Sequence, residues 1–257
     1  MLRSFKRARL SRLGLLCTAA VGTSLIGTGT AVAAPCTPTP AMRDGHPLTA
    51  AVYDPGAPVT GTVDATGCDI GVYTDAGTTT ITGATIQNAR YFGVLTENPA
   101  AATNVSNSTI QNIGDMPFDG AQHGIGIEWA SGSTGSIDSS TVQQYQKGGV
   151  VVTDSGTGAS VTNDTIHGLG QVAFIAQNGV QVSDGATGTV SGNLITDNYY
   201  TGCSNQDAAK TGCVPYVATG LLLYNVDPSQ VSRSNNLYRN DQRNEYVGTA
   251  ASVSAHS

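Results

Sequence analysis

The sequence predicts an all-β fold, a solenoid of about six stacked coils built from short parallel strands. A six-residue strand returns along the chain as D-I-G-V-Y-T (Asp69–Thr74), Y-F-G-V-L-T (Tyr91–Thr96) and G-I-G-I-E-W (Gly124–Trp129). It returns again as G-V-V-V-T-D (Gly149–Asp154), G-V-Q-V-S-D (Gly179–Asp184) and G-L-L-L-Y-N (Gly220–Asn225). Each copy is followed by two further short apolar units, such as T-I-T-G then T-I-Q-N at Thr80–Asn88. Repetition of this kind decides the architecture before any single element is considered.

The first strand of each copy carries aliphatics two apart, Ile70/Val72, Phe92/Val94, Ile125/Ile127, Val150/Val152, Val180/Val182 and Leu221/Leu223. Period two identifies strands. It directs these pairs inward and Gly71, Gly93, Gly126, Val151, Gln181 and Leu222 outward. About ten residues on comes Ile81, Val105, Ile137, Val161, Val190 or Val231, and five residues later Ile86, Ile110, Val142, Ile166 or Ile195. Ile70 and Phe92 stand 22 residues apart, and insertions account for the longer spacings. Strands this short bury a core by stacking coil on coil. An antiparallel sandwich would not repeat the same inward aliphatics in the same order.

The G-[IV]-x-[IV] strand followed by an [IV]-x-[NSG]-x-[TN]-[IV] unit resembles the repeat of the pectate-lyase-like superfamily. That resemblance implies a right-handed parallel β-helix over Asp69–Tyr246, in a superfamily that includes lyases, hydrolases, epimerases, esterases and non-catalytic proteins. Gln122–Ile127 is similar to the G-H-G-[LI]-S-[IL] strand of polygalacturonases, but the N-T-D, D-D and R-I-K motifs of that family are missing. Pectate lyases use an Arg or Lys base; here the basic residues are scattered, and Lys147 is the best placed of them.

Residues 1–33 read as a secretory signal peptide, with Arg3, Lys6, Arg7, Arg9 and Arg12 before an apolar stretch and Ala31-Val32-Ala33 as the cleavage site. A secreted, extracellular protein is expected. Residues 34–66 lack the repeat and are expected to cap the first coil, residues 67–247 to form the helix, and residues 248–257 to be a flexible tail. Losing residues 1–33 removes five basic side chains and no acidic one, leaving 7 basic against 18 acidic, a net charge of about −11. Such a surface repels nucleic acid and anionic membrane, and disfavours unaided binding of a polyanionic polymer. A monomer is expected. Of the cysteines, Cys36, Cys68, Cys203 and Cys213 remain, with three connectivities open. Cys36–Cys68 and Cys203–Cys213 are favoured because each ties down a local irregular segment.

Three insertions, Ile113–His123, Gly168–Asn178 and Tyr199–Thr219, all precede the first strand of a coil and so belong to one side of the stack. Insertions confined to one side point to a binding face. Nothing in turn chemistry asks for Glu128 within a strand, and Trp129 follows it, while the preceding insertion carries Asp115, Asp119 and His123. Carboxylates beside aromatic faces suit a polysaccharide site, with Glu128, His123, Asp119 and Lys147 as candidate acid–base residues. Trp129, Tyr73, Tyr199, Tyr200 and Tyr224 are candidate sugar-stacking faces; the plain alternative is packing of loop onto coil. Asp154 and Asp184 stack about 4.8 Å apart by coil spacing. With Asp115 nearby they offer oxygen ligands for Ca²⁺, or else cap their own Asp/Gly turns. The expected activity is binding, with cleavage by a lyase or glycoside hydrolase, of an extracellular or cell-wall polysaccharide. A non-catalytic surface-interaction module is the alternative. Gln87, Gln111, Gln143 and His167 form an outward polar ladder.

Overall fold

The computed structural model describes residues 35–203 and 216–248. Among these residues the regular structure is strand, apart from one short 3₁₀ turn at Pro228–Gln230. The chain opens with β1 (Thr37–Arg43), which turns at Asp44-Gly45 and pairs antiparallel with β2 (His46–Tyr53). β3 (Val59–Asp64) follows. The first full coil is β4 (Ile70–Thr74) and the bent β5 (Gly77–Gln87). Four coils of three strands come next. They are β6 (Phe92–Glu97), β7 (Ala101–Ser106) and β8 (Thr109–Ile113), then β9 (Ile125–Ala130), β10 (Thr134–Asp138) and β11 (Thr141–Tyr145). Then come β12 (Gly148–Val152), β13 (Gly158–Thr162) and β14 (Thr165–Val172), and β15 (Asn178–Ser183), β16 (Thr187–Ser191) and β17 (Leu194–Tyr200). The sixth coil is β18 (Thr219–Tyr224), β19 (Val231–Ser234) and β20 (Leu237–Arg239), and β21 (Arg243–Gly248) begins a seventh.

Apart from β1, every described strand pairs in parallel with the coil before or after it. β2, β4, β6, β9, β12, β15, β18 and β21 make face one. β5 pairs with β7 through its first half and with β8 through its second, so its bend is a corner between faces two and three. The six expected coils are present, and the stack is longer than expected at its start. β2 and β3 pair in register with β4 and β5, so residues 46–64 extend the helix, and β1 is the element that departs from it.

The aliphatic columns on faces two and three run as the sequence predicts through the fifth coil; in the sixth, Val231 pairs with Gly188, and Arg233 stands where Val231 was expected. Ile81, Val105, Ile137, Val161 and Val190 align, as do Ile86, Ile110, Val142, Ile166 and Ile195, and all are buried in one core. Face one corrects the expectation. Ile127 pairs with Val150 and Trp129 with Val152, a register two residues away from the one expected. Val72, Val94, Ile127, Val150, Val180 and Leu221 point into the core, whereas Ile70, Phe92 and Ile125 belong to a second apolar cluster with Leu48, Tyr73 and Leu95. The column Gly71, Gly93, Gly126, Gly149, Gly179, Gly220 does not face outward. A Cβ at Gly71 would lie 2.5 Å from Ile86 Cγ2, and one at Gly93 2.5 Å from Ile110 Cγ2. Face one is pinched against face three there, and only glycine fits.

The last coil explains its own loose repeat. The three inward columns end in Arg233, Tyr238 and Glu245, paired respectively with Val190, Ile195 and Leu221. Arg233 Nη1 donates to Glu245 Oε2 at 3.3 Å, and Tyr238 Oη donates to Glu245 Oε1 at 2.8 Å. A satisfied polar triad thus closes the end of an aliphatic core, which a solenoid needs to stay soluble. Cys36 and Cys68 are joined. Cys203 is disulfide-bonded, and Cys213 lies outside the described residues, as do the expected signal peptide and residues 249–257. Among the described residues no helix is long and apolar enough to cross a membrane.

Candidate functional site

Chemistry-bearing side chains collect along the two opposite edges of face one. The edge where its strands end holds two adjoining cavities of about 560 and 240 Å³, which share Arg43, Glu97 and Ser131. Tyr73 and Asp75 line the larger, and Glu128, Thr153 and Asp154 the smaller. Glu128 is carried by β9, one strand position before the inward Trp129, and so faces out. Glu97 closes β6 on the neighbouring coil. Between them stands Arg43, delivered by the β1–β2 hairpin. Its Nη1 donates to Glu97 Oε1 at 2.9 Å and its Nη2 to Glu128 Oε1 at 2.7 Å. The guanidinium also lies 5.0 Å from the centre of the Phe92 ring. Burial opposes the charge of Arg43, but Glu128 and Glu97 outweigh it and raise its pKa. Tyr73 donates to Glu97 Oε2 at 3.3 Å, and burial followed by the Glu97 charge raises its pKa.

The sequence singled out Glu128, Tyr73 and Asp154, and these three do meet here. It missed Glu97 and Arg43. The Asp44-Gly45 hairpin signal after Arg43 was available, but the partners lie 54 and 85 residues away. Trp129 requires correction. It is wholly buried in the core, its indole nitrogen directed at Gly135, so it offers no face to a ligand. Tyr224 is half-buried at the end of β18, on the same edge beyond the cavities.

Asp154 and Asp184 occupy the left-handed position of successive turns, with φ of 76° and 54°. Asp154 Oδ2 accepts from the Ser131 N–H at 2.9 Å, and Asp184 Oδ1 accepts from Asn225 Nδ2 at 2.9 Å. Both bonds tie the turn of one coil to the turn of its neighbour, 23 and 41 residues away, and neither caps the residue's own turn. Asp115 does not join them, and no three His, Cys, Asp or Glu side chains cluster as a cation site requires among the described residues.

Asp115 lies on the opposite edge, where the strands of face one begin and the insertions emerge. It accepts from Arg90 Nε at 2.8 Å and bonds His123 Nε2 at 2.7 Å. Burial works to raise its pKa, but the bonds from Arg90 and His123 lower it. His123 stacks on Tyr91 with ring centres 4.1 Å apart. Asp119 caps the N–H of Ala121 within the same insertion. Lys147 is fully buried, donates to the Ala176 carbonyl at 3.4 Å, and is pushed down to about 7 by burial. Tyr199 and Tyr200 continue β17 and pair with Gln171 and Val172. The described parts of the insertions do share one edge, but that edge lies across face one from Glu128. The expected single site is therefore two groups, and the one with cavities is built around Arg43, Glu97 and Glu128.

Residues 62–208 and 93–255 match a family model described as a right handed beta helix region. No curated protein and no solved structure matches the chain.

Proposed function

We propose, from the premise that the chain belongs to the right-handed β-helix family, that it is a secreted protein that binds an extracellular or cell-wall polysaccharide. One observation carries this reading. Two carboxylates from neighbouring coils, a guanidinium and a tyrosine hydroxyl converge on adjoining cavities at one edge of face one. Carboxylates accept, and guanidinium N–H groups donate, the paired hydrogen bonds that vicinal sugar hydroxyls require. The acidic balance of the chain favours neutral or cationic polymers over polyuronates. The Cys36–Cys68 disulfide supports an oxidising compartment.

A hydrolase is the second reading, favoured by the pair Glu97 and Glu128 itself, since glycoside hydrolysis uses two carboxylates across the scissile bond. Each of them gives an oxygen to Arg43, so binding is what the geometry supports best. Affinity electrophoresis on a panel of neutral, amino-sugar and uronic polysaccharides tests both readings when reducing ends are measured in parallel. Retardation by one neutral or amino-sugar polymer, weakened at least tenfold in Glu97→Gln, is expected. Retardation by none of the panel overturns the binding reading, and new reducing ends would establish the hydrolase.

A further inference from the structure

At the corner between faces two and three, one position per coil carries an inward polar side chain that bonds the coil before it. Ser108 Oγ accepts from the Ala84 N–H at 3.1 Å, and Ser140 Oγ accepts from the Ser108 N–H at 3.1 Å. Asp164 Oδ1 accepts from the Ser140 N–H at 2.8 Å. Asn193 Oδ1 accepts from the Asp164 N–H at 2.9 Å, and Asn236 Oδ1 from the Asn193 N–H at 3.1 Å.

Each rung also donates. The Ser108 hydroxyl bonds the Ser106 carbonyl at 2.7 Å and that of Ser140 the Asp138 carbonyl at 2.9 Å. The Asn193 amide bonds the Val161 carbonyl, and the Asn236 amide the Val190 carbonyl, both at 2.9 Å. Asp164 breaks the rule. Its Oδ2 is buried with no hydrogen-bond partner among the described residues. Val161 and Val190 are row-mates of Ile137, so the acceptor that corresponds for Asp164 is the Ile137 carbonyl. That carbonyl takes a long, 3.4 Å bond from the Thr162 hydroxyl. An ionised carboxylate cannot donate to it; a carboxylic acid can.

We infer that Asp164 is carried in the folded protein as a neutral carboxylic acid, its Oδ2–H standing in for the asparagine amide, and that its ionisation opens this rung of the helix. The residue is a proton-controlled clasp in the fourth coil. Asp138 is the charged group whose field reaches it, and it opposes ionisation, as does burial; the backbone N–H groups of Ser140 and Thr162 work the other way. Burial first, then Asp138, pushes the Asp164 carboxyl up to about 7. A carboxyl raised on folding binds protons more tightly in the native state. The stability that Asp164 contributes is therefore greatest at acid pH and declines as pH rises from about 4 to about 7.

The first test is a ¹³C carboxyl titration of the aspartate-labelled protein, with the resonance assigned by its disappearance in Asp164→Asn. A midpoint near 7 is expected, and one below 5 overturns the inference. Melting between pH 4.5 and 7 gives the second reading. The parent should lose several degrees, Asp164→Asn clearly less, and Asn193→Asp clearly more. Asp241, raised to about 6 by burial, adds the same slope to all three proteins, and Lys147 acts above the window. Equal slopes in parent and Asp164→Asn would contradict the clasp.

Discussion

Arg43 Nη2 donates to Glu128 Oε1 at 2.7 Å across 85 residues of sequence, and ties an antiparallel hairpin to the outer side of a parallel stack. The Glu128 side chain is 2 % exposed and that of Arg43 22 %. Removing one member of a buried pair leaves an uncompensated charge, and costs more than the pair itself contributes. Arg43→Ala should therefore lower the unfolding free energy by about 3 kcal/mol. Arg43→Ala with Glu97→Gln and Glu128→Gln should recover much of that loss. Urea unfolding of the set measures it, and a single-variant loss under about 0.5 kcal/mol would reduce the contact to a surface ion pair.

The polar triad at the far end has a different purpose. Arg233, Tyr238 and Glu245 stand where the columns would otherwise present aliphatic side chains to solvent. Arg233→Val with Glu245→Leu should continue those columns to the open edge, where unpaired strands invite another chain. Light scattering after size exclusion should show a monomeric parent and a variant whose mass rises with concentration. A monomeric variant would mean that the triad is not what keeps the ends apart.

Much of this fold was legible because faces two and three carry Ile or Val at fixed spacing through the first five coils. Face one was harder for a definable reason. Gly124-Ile125-Gly126-Ile127 contains the G-I unit twice, and Gly148-Gly149 offers two starting glycines, so periodicity alone admits two registers. A slip of two residues keeps the alternation intact, and it is what set Trp129 level with the turn residue Asp154 instead of beside Val152 within the strand. The close approach of Gly126 to Val142 and of Gly149 to Ile166 settles the register, and that is a packing fact no strand pattern contains. The site was legible in half. Glu128 is conspicuous as a charge inside a strand, but Arg43 comes from the segment without a repeat. Its meeting with Glu97 and Glu128 depends on how the hairpin lies on the stack.

The turn carboxylates give a prediction about calcium. Any cation at Asp154 or Asp184 must compete with the Ser131 N–H and the Asn225 amide. Melting curves in millimolar calcium and in EDTA should coincide. A calcium-dependent rise that disappears in Asp154→Asn would restore the cation reading and, with it, bridging to an acidic polymer.

The location of the carbohydrate site is most directly tested by mapping amide chemical shifts while an oligosaccharide of the retained polymer is added. The largest changes are predicted at Tyr73, Glu97, Glu128, Ser131 and Thr153, the walls of the two cavities. They should be lost in Glu97→Gln, while the Arg90, Asp115 and His123 group stays still. Changes centred instead on His123, Tyr199 and Tyr200, with the cavity residues silent, would place the site on the insertion edge and contradict the account.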